Sequence, residues 1–213
     1  MGTARGVIMG TARGENTAHK NATSGYAPLD SSGKVPSTIL PSGTPTQYNQ
    51  SIAQQVGFST DTYLANSCIP IPASSLKIGT RYHLIFDVVK TAAGATAPTI
   101  IVRFGTAGAI GDTARITFTF LSQSGVADNG TFEVWITFRA VGSGTSAIIQ
   151  GAAQCRHRLQ ITGLQTLVST SLQVTSSGFD STVADSKIGV SVNAGSSAAW
   201  TVQLVQAELI NLV

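Results

Sequence analysis

From Phe58 onward the chain alternates apolar and polar side chains. In "RYHLIFDVV", Tyr82, Leu84, Phe86 and Val88 fall on one side of an extended strand, with Arg81, His83, Ile85 and Asp87 on the other. "PTIIVRF" sets Ile100, Val102 and Phe104 against Thr99 and Arg103, and "RITFTFLS" sets Ile116, Phe118 and Phe120 against Arg115, Thr117 and Thr119. "GTFEVWITFRAV" does the same with Phe132, Val134, Ile136 and Phe138 against Thr131, Glu133, Thr137 and Arg139. A period of two predicts strands with one dry and one wetter face. Turn signals separate them at 91–94, 105–108, 124–130 and 142–144, and further strands are expected at 58–66, 146–161, 166–175, 186–193 and 198–210. Eight or nine short strands with no helical period predict an all-β, two-sheet sandwich, and the fairly long hairpins favour a jelly roll over 58–213. Pro70 and Pro72 cannot donate to a ladder and belong on an edge or a crossing loop.

The first 57 residues read differently. All seven prolines lie at or before Pro98, four of them between Pro28 and Pro45, and no period is sustained up to about Gly57. This stretch is expected to be an extended N-terminal arm. It carries scattered apolar side chains, among them Tyr26, Leu29, Val35, Ile39, Leu40, Tyr48, Ile52 and Val56. Alone it would lose conformational entropy with no core to offset the loss. Against a partner, its prolines reduce that cost by pre-extending the backbone. A clamp that orders on another subunit is therefore favoured over a disordered tether. "MGTARG" occurs at 1–6 and again at 9–14, so Arg5 and Arg13 sit in equivalent places. The repeat is a duplicated docking element or an accident of gene history, and it is too short to signal a solenoid.

Composition narrows the function classes. Only 11% of the 213 residues are charged, against about 25% in ordinary soluble domains. Ser, Thr, Gly, Ala, Asn and Gln carry the polarity instead, which lets a surface be buried on neighbours without stranding many charges. The formal net charge is +3 and the densest cationic cluster is Arg156-His157-Arg158. Phosphate binding needs clustered cations, so nucleic acid is not expected as a partner. No apolar run approaches the roughly 20 residues of a membrane helix, and no signal peptide is expected, since Met1 to Gly14 lacks an apolar core. Cys68 and Cys155 have no metal spacing and are expected to be free, apolar thiols. The sequons at Asn21 and Asn129 are expected to go unused.

Catalytic chemistry finds few candidates. His19, His83 and His157 form no His-x-His pair, and no nucleophile elbow, phosphate loop or paired carboxylates appear. Cys155 and His157 share a strand face but lack a second pair of ligands, so a structural role is expected and no metal or cofactor is assigned. Asp112, Asp128, Asp180 and Asp185 are placed in loops, where such residues bond their own backbone. Trp135 falls on the polar side of its strand, where it either anchors an interface or lies under a covering loop. Trp200 is expected in the core. "SAIIQGAAQ" and "VQLVQAELINLV" are apolar on both faces in part, which fits burial by another protomer.

"SGYAPLDSSGKVPSTILP" (24–41) resembles a segment of tailed-bacteriophage virion proteins that precedes a distal domain. Gly25, Ala27, Leu29, Asp30, Gly33, Lys34, Val35, Pro36, Leu40 and Pro41 match it. "KTAAGATAPTIIVRFGTAG", "GDTARITFTF" and "AAWTVQLVQAEL" are similar to phage structural domains, and together the matches are spread along most of the chain, from 24 to 209. The resemblance implies a virion protein, oligomeric and commonly trimeric, decorating a capsid or belonging to a tail or head fibre. Its partners would be the major capsid protein or another virion protein. The implied contact residues are Arg5, Arg13, Tyr26, Leu29, Val35, Pro36, Leu40 and Trp135. Charged arms that package genomes are denser in Arg and Lys than this one.

Overall fold

The structure, a computed structural model, describes residues 45–195 and 199–212. Eleven strands follow one another: β1 (Pro45–Ser51), β2 (Thr62–Tyr63), β3 (Ile69–Pro70), β4 (Arg81–Lys90), β5 (Thr99–Gly105), β6 (Thr113–Thr119), β7 (Asp128–Ala140), β8 (Ile148–His157), β9 (Ser169–Thr175), β10 (Lys187–Asn193) and β11 (Trp200–Ile210). No helix occurs among the described residues. All pairings are antiparallel and form two sheets, ordered β1-β11-β4-β7-β8-β9 and β2-β10-β5-β6.

This order is that of a jelly roll with one addition. β2 and β3 both pair with β10, at Ser191–Val192 and Lys187–Ile188, and are two pieces of one interrupted edge strand. Between them the chain loops out at Asn66, whose φ is 60°, while Ser67 Oγ takes the Val190 N–H in place of a backbone partner. Counting β2 and β3 as one and setting aside β8 and β9, eight strands remain. They run 1-8-3-6 in one sheet and 2-7-4-5 in the other, two interlocked Greek keys. The β8–β9 hairpin then widens the first sheet from four strands to six.

The alternation read from the sequence supplies the core. Tyr82, Leu84, Phe86, Val88, Phe132, Val134, Ile136 and Phe138 face inward from the broad sheet, against Ile100, Val102, Phe104, Ile116, Phe118, Val190 and Val192 from the narrow one. Phe132 is the aromatic hub, with ring centroids 5.2 Å from Phe86, 5.2 Å from Phe120 and 5.1 Å from Trp200. Trp200 is fully buried, as expected, and donates its indole N–H to Gln123 Oε1 at 2.6 Å. Gly151 leaves room where the sheets press together: a methyl there would stand 2.6 Å from Phe118 and 2.8 Å from Ile136.

Two sequence expectations change. Residues 45–57 are not part of an arm: β1 is the first strand of the roll, and Gln55 exchanges both backbone hydrogen bonds with Val202. Its side chains Gln47, Asn49 and Ser51 are half-buried while Tyr48 and Gln50 are exposed, so burial alternates although hydrophobicity does not. The edge position explains this, because polar side chains suffice where only the backbone is shared. The two-faced apolar character of β11 also has an internal cause. A bulge between Val202 and Leu204 turns both Val202 and Val205 inward, with no second protomer needed.

Candidate functional site

The outer face of the broad sheet carries the most elaborated polar surface. Strand register brings Tyr48, Glu208, His83, Trp135, Ala152 and Gln173 into one row across all six strands. His83 sits at its centre, with Nδ1 2.9 Å from Glu208 Oε1 and Nε2 3.0 Å from Glu133 Oε1. Glu133 also pairs with Arg156. The indole of Trp135 stacks on the His83 ring at 3.5 Å between centroids, nearly parallel at 9°. The Arg81 guanidinium lies 4.9 Å from the same indole. Two neighbours on β4 thus fix the orientation of a partly exposed tryptophan.

Beside Trp135 the sheet surface sinks into a groove of about 350 Å³, lined by Arg81, Trp135, Thr137, Arg139, Gln150, Gly151, Ala152 and Gln173. Its cause is local. The cross-strand neighbour of Trp135 on β8 is Ala152, and the next residue outward on β9 is Gln173, so a methyl lies between two tall walls. At one end β7 carries a bulge between Phe138 and Ala140, which leaves Arg139 unpaired in the ladder and exposed. Arg139 donates to Gln150 Oε1 at 2.7 Å.

Other candidate groups are consumed inside the fold. Cys155 and His157 do share a face, but it is the inner one. His157 meets Asp128 Oδ2 at 2.7 Å through Nδ1 and the Leu167 carbonyl at 2.9 Å through Nε2. Burial, reinforced by the charge of Asp128, pushes the Cys155 thiol up to about 12, and burial also raises Cys68. Neither cysteine forms a disulfide. Asp128, placed in a loop by its sequence context, is the first residue of β7 and is buried. Asp112 and Asp180 behave as turn residues, accepting from the amides of Ala107 and Gly108 and of Thr182. Among the described residues no cluster of three His, Cys, Asp or Glu side chains could hold a metal ion. A second hollow, about 390 Å³, opens at one end of the sandwich between Ile71, Leu76, Val141 and Val183.

Of the contact residues expected from sequence, Arg5, Arg13, Tyr26, Leu29, Val35, Pro36 and Leu40 lie outside the described residues. Trp135 lies on the outer face, where it lines the open groove, and no loop among the described residues covers it. Arg81, Arg139, Gln150 and Gln173 were not singled out. Arg81 and Arg139 stand on the wet side of their strands, which was readable, but only the register of β4, β7, β8 and β9 brings the four together. No protein-family model matches the chain, and no curated protein matches it.

Proposed function

We propose that this chain is a bacteriophage virion structural protein, a jelly-roll module that decorates the capsid and staples neighbouring major capsid subunits, without a catalytic role and as a homo-oligomer, with a trimer favoured. The observation that carries the reading is the segment 24–41, whose matching residues end at Pro41, just ahead of β1. Three side chains next to it add support. Tyr48, Ile52 and Val56 are 55%, 82% and 64% exposed in the single chain, although two of them are aliphatic. Apolar groups grouped along one short segment mark a contact that one chain leaves uncovered. The low charge of the whole surface suits such contacts, and many weak ones reinforce a shell by mass action. Particles assembled with and without this subunit should differ in the temperature at which they release DNA. Equal release temperatures would overturn the reading.

The groove beside Trp135 favours a second reading, a tail or head-fibre component whose broad face holds a host surface glycan. An aromatic wall flanked by carboxamides is a feature of binding sites, and nothing in the stapling role uses it. Binding of the isolated chain to host cells, lost on treating the cells with glycosidases, is the outcome expected from this reading.

A further inference from the structure

Building on the second reading, in which the broad face holds a glycan, we infer that the groove takes a carboxylated sugar: a pyranose ring on Trp135 with its carboxylate on Arg81 and Arg139.

The shape comes from strand spacing. Trp135 on β7 and Gln173 on β9 stand two strands apart, so their backbones are separated by about 9.5 Å. Ala152 between them contributes only a methyl floor. Once the half-thickness of each wall is removed, the slot admits one saturated ring on edge. The apolar C–H face of a pyranose packs on an indole, and this indole is held in advance. His83 backs it at 3.5 Å, and Glu208, Glu133 and Arg156 pin His83 in turn. A wall already ordered loses little freedom when the ligand arrives.

The charge sets the class of sugar. Two guanidiniums reach the groove and no carboxylate lines it. The nearest carboxylates are engaged elsewhere: both oxygens of Glu133 go to His83 and Arg156, and Glu208 meets His83. The Arg81 side chain makes no hydrogen bond or ion pair among the described residues and lies over the Trp135 indole, so its donor fork is unspent. Arg139, thrown outward by the bulge, leans only on the Gln150 carboxamide. A planar fork of N–H donors matches a carboxylate in two-point contact. Gln150 and Gln173 supply donors and acceptors for ring hydroxyls.

The test titrates the full chain with oligogalacturonate, with its methyl ester, with sialyllactose against lactose, and with oligoglutamate. Trp200 is buried, so a saturable change in tryptophan fluorescence reports on Trp135. The acidic sugars should bind roughly tenfold or more tightly than the ester or lactose. Trp135→Ala should abolish the signal and the binding seen by calorimetry. Arg81→Gln combined with Arg139→Gln, both at exposed positions that leave the core intact, should erase the preference for the acid. Equal binding of acid and ester through Trp135 overturns the assignment of a carboxylated sugar while the glycan reading stands. Binding of oligoglutamate as tight as that of oligogalacturonate overturns it in favour of an acidic peptide site. Failure of every sugar to bind removes both the inference and the reading beneath it.

Discussion

Asp128 shows how much of this fold turns on single polar side chains. Its two oxygens accept from His157 and from the amides of Leu164, Asn129 and Leu159, tying the start of β7 to the end of β8 and to the loop that follows. Gly163 makes the closure possible: at φ +90° it passes so near that a methyl would stand 2.4 Å from Asp128 Oδ2. Burial alone would raise the Asp128 carboxyl, but the bonds from Leu164, His157 and Asn129 outweigh it and hold it below the usual carboxylate range. A carboxyl lowered on folding stabilises the native state fully above its unfolded value of about 3.9, and that contribution is lost as pH falls below this value and through the lowered native one. The melting temperature of the native chain should therefore drop as pH is taken from 6 to about 3, the far side of that value. Asp128→Asn should cost about 1.5–3 kcal/mol at neutral pH, the worth of a hydrogen bond to a charged group. It should also flatten the acid dependence. Calorimetry across that range checks both; a variant that loses stability in acid as steeply as the parent would show that other carboxylates set the slope.

Among the elements, strand β1 is the instructive case. Strands β4 to β7 were legible because each buries an apolar face against a wetter one, so the period-two signal is strong. β1 was illegible because its contribution is backbone: a ladder to β11 from Tyr48↔Glu208 to Ser51↔Val205, the Gln55 bridge, and the Asn49 amide donating to the Cys68 carbonyl at 3.0 Å. A hydrophobic pattern cannot report hydrogen bonds made by Gln and Asn. The same blindness hid the break between β2 and β3, where Ser67 substitutes for a backbone partner. Truncation separates the two boundaries. Removal of residues 1–44 should leave the melting temperature within a few degrees of the parent, since a 1 kcal/mol change moves it by roughly 2–4 °C at this size. Removal of 1–57 strips β11 of its outer partner and exposes an eleven-residue strand edge. That chain should melt markedly lower and aggregate on size-exclusion chromatography; two truncations melting alike would contradict the role given to β1.

For the molecule as a whole, the core and the contacts answer to different residues. Substituting Ile52 and Val56 by Ser touches no buried group and should change stability by no more than about 0.5 kcal/mol per site. If the β1 segment is where neighbours attach, the double variant should fold like the parent yet fail to assemble with particles or with itself, as read by sedimentation. Unchanged assembly would move the contact elsewhere. The groove was only partly legible at this scale: Trp135 stood out as an outward aromatic, whereas Arg81, Arg139, Gln150 and Gln173 are scattered over 92 positions between the first and the last of them and meet only through sheet register. The widened sheet has one more effect. Trp135 on β7 lies three strand spacings from β1, roughly 14 Å at the usual separation. If neighbours attach through Ile52 and Val56 at that border, Trp135 stands three strands away from the contact, so substitutions at the border and substitutions at the slot should act independently of one another.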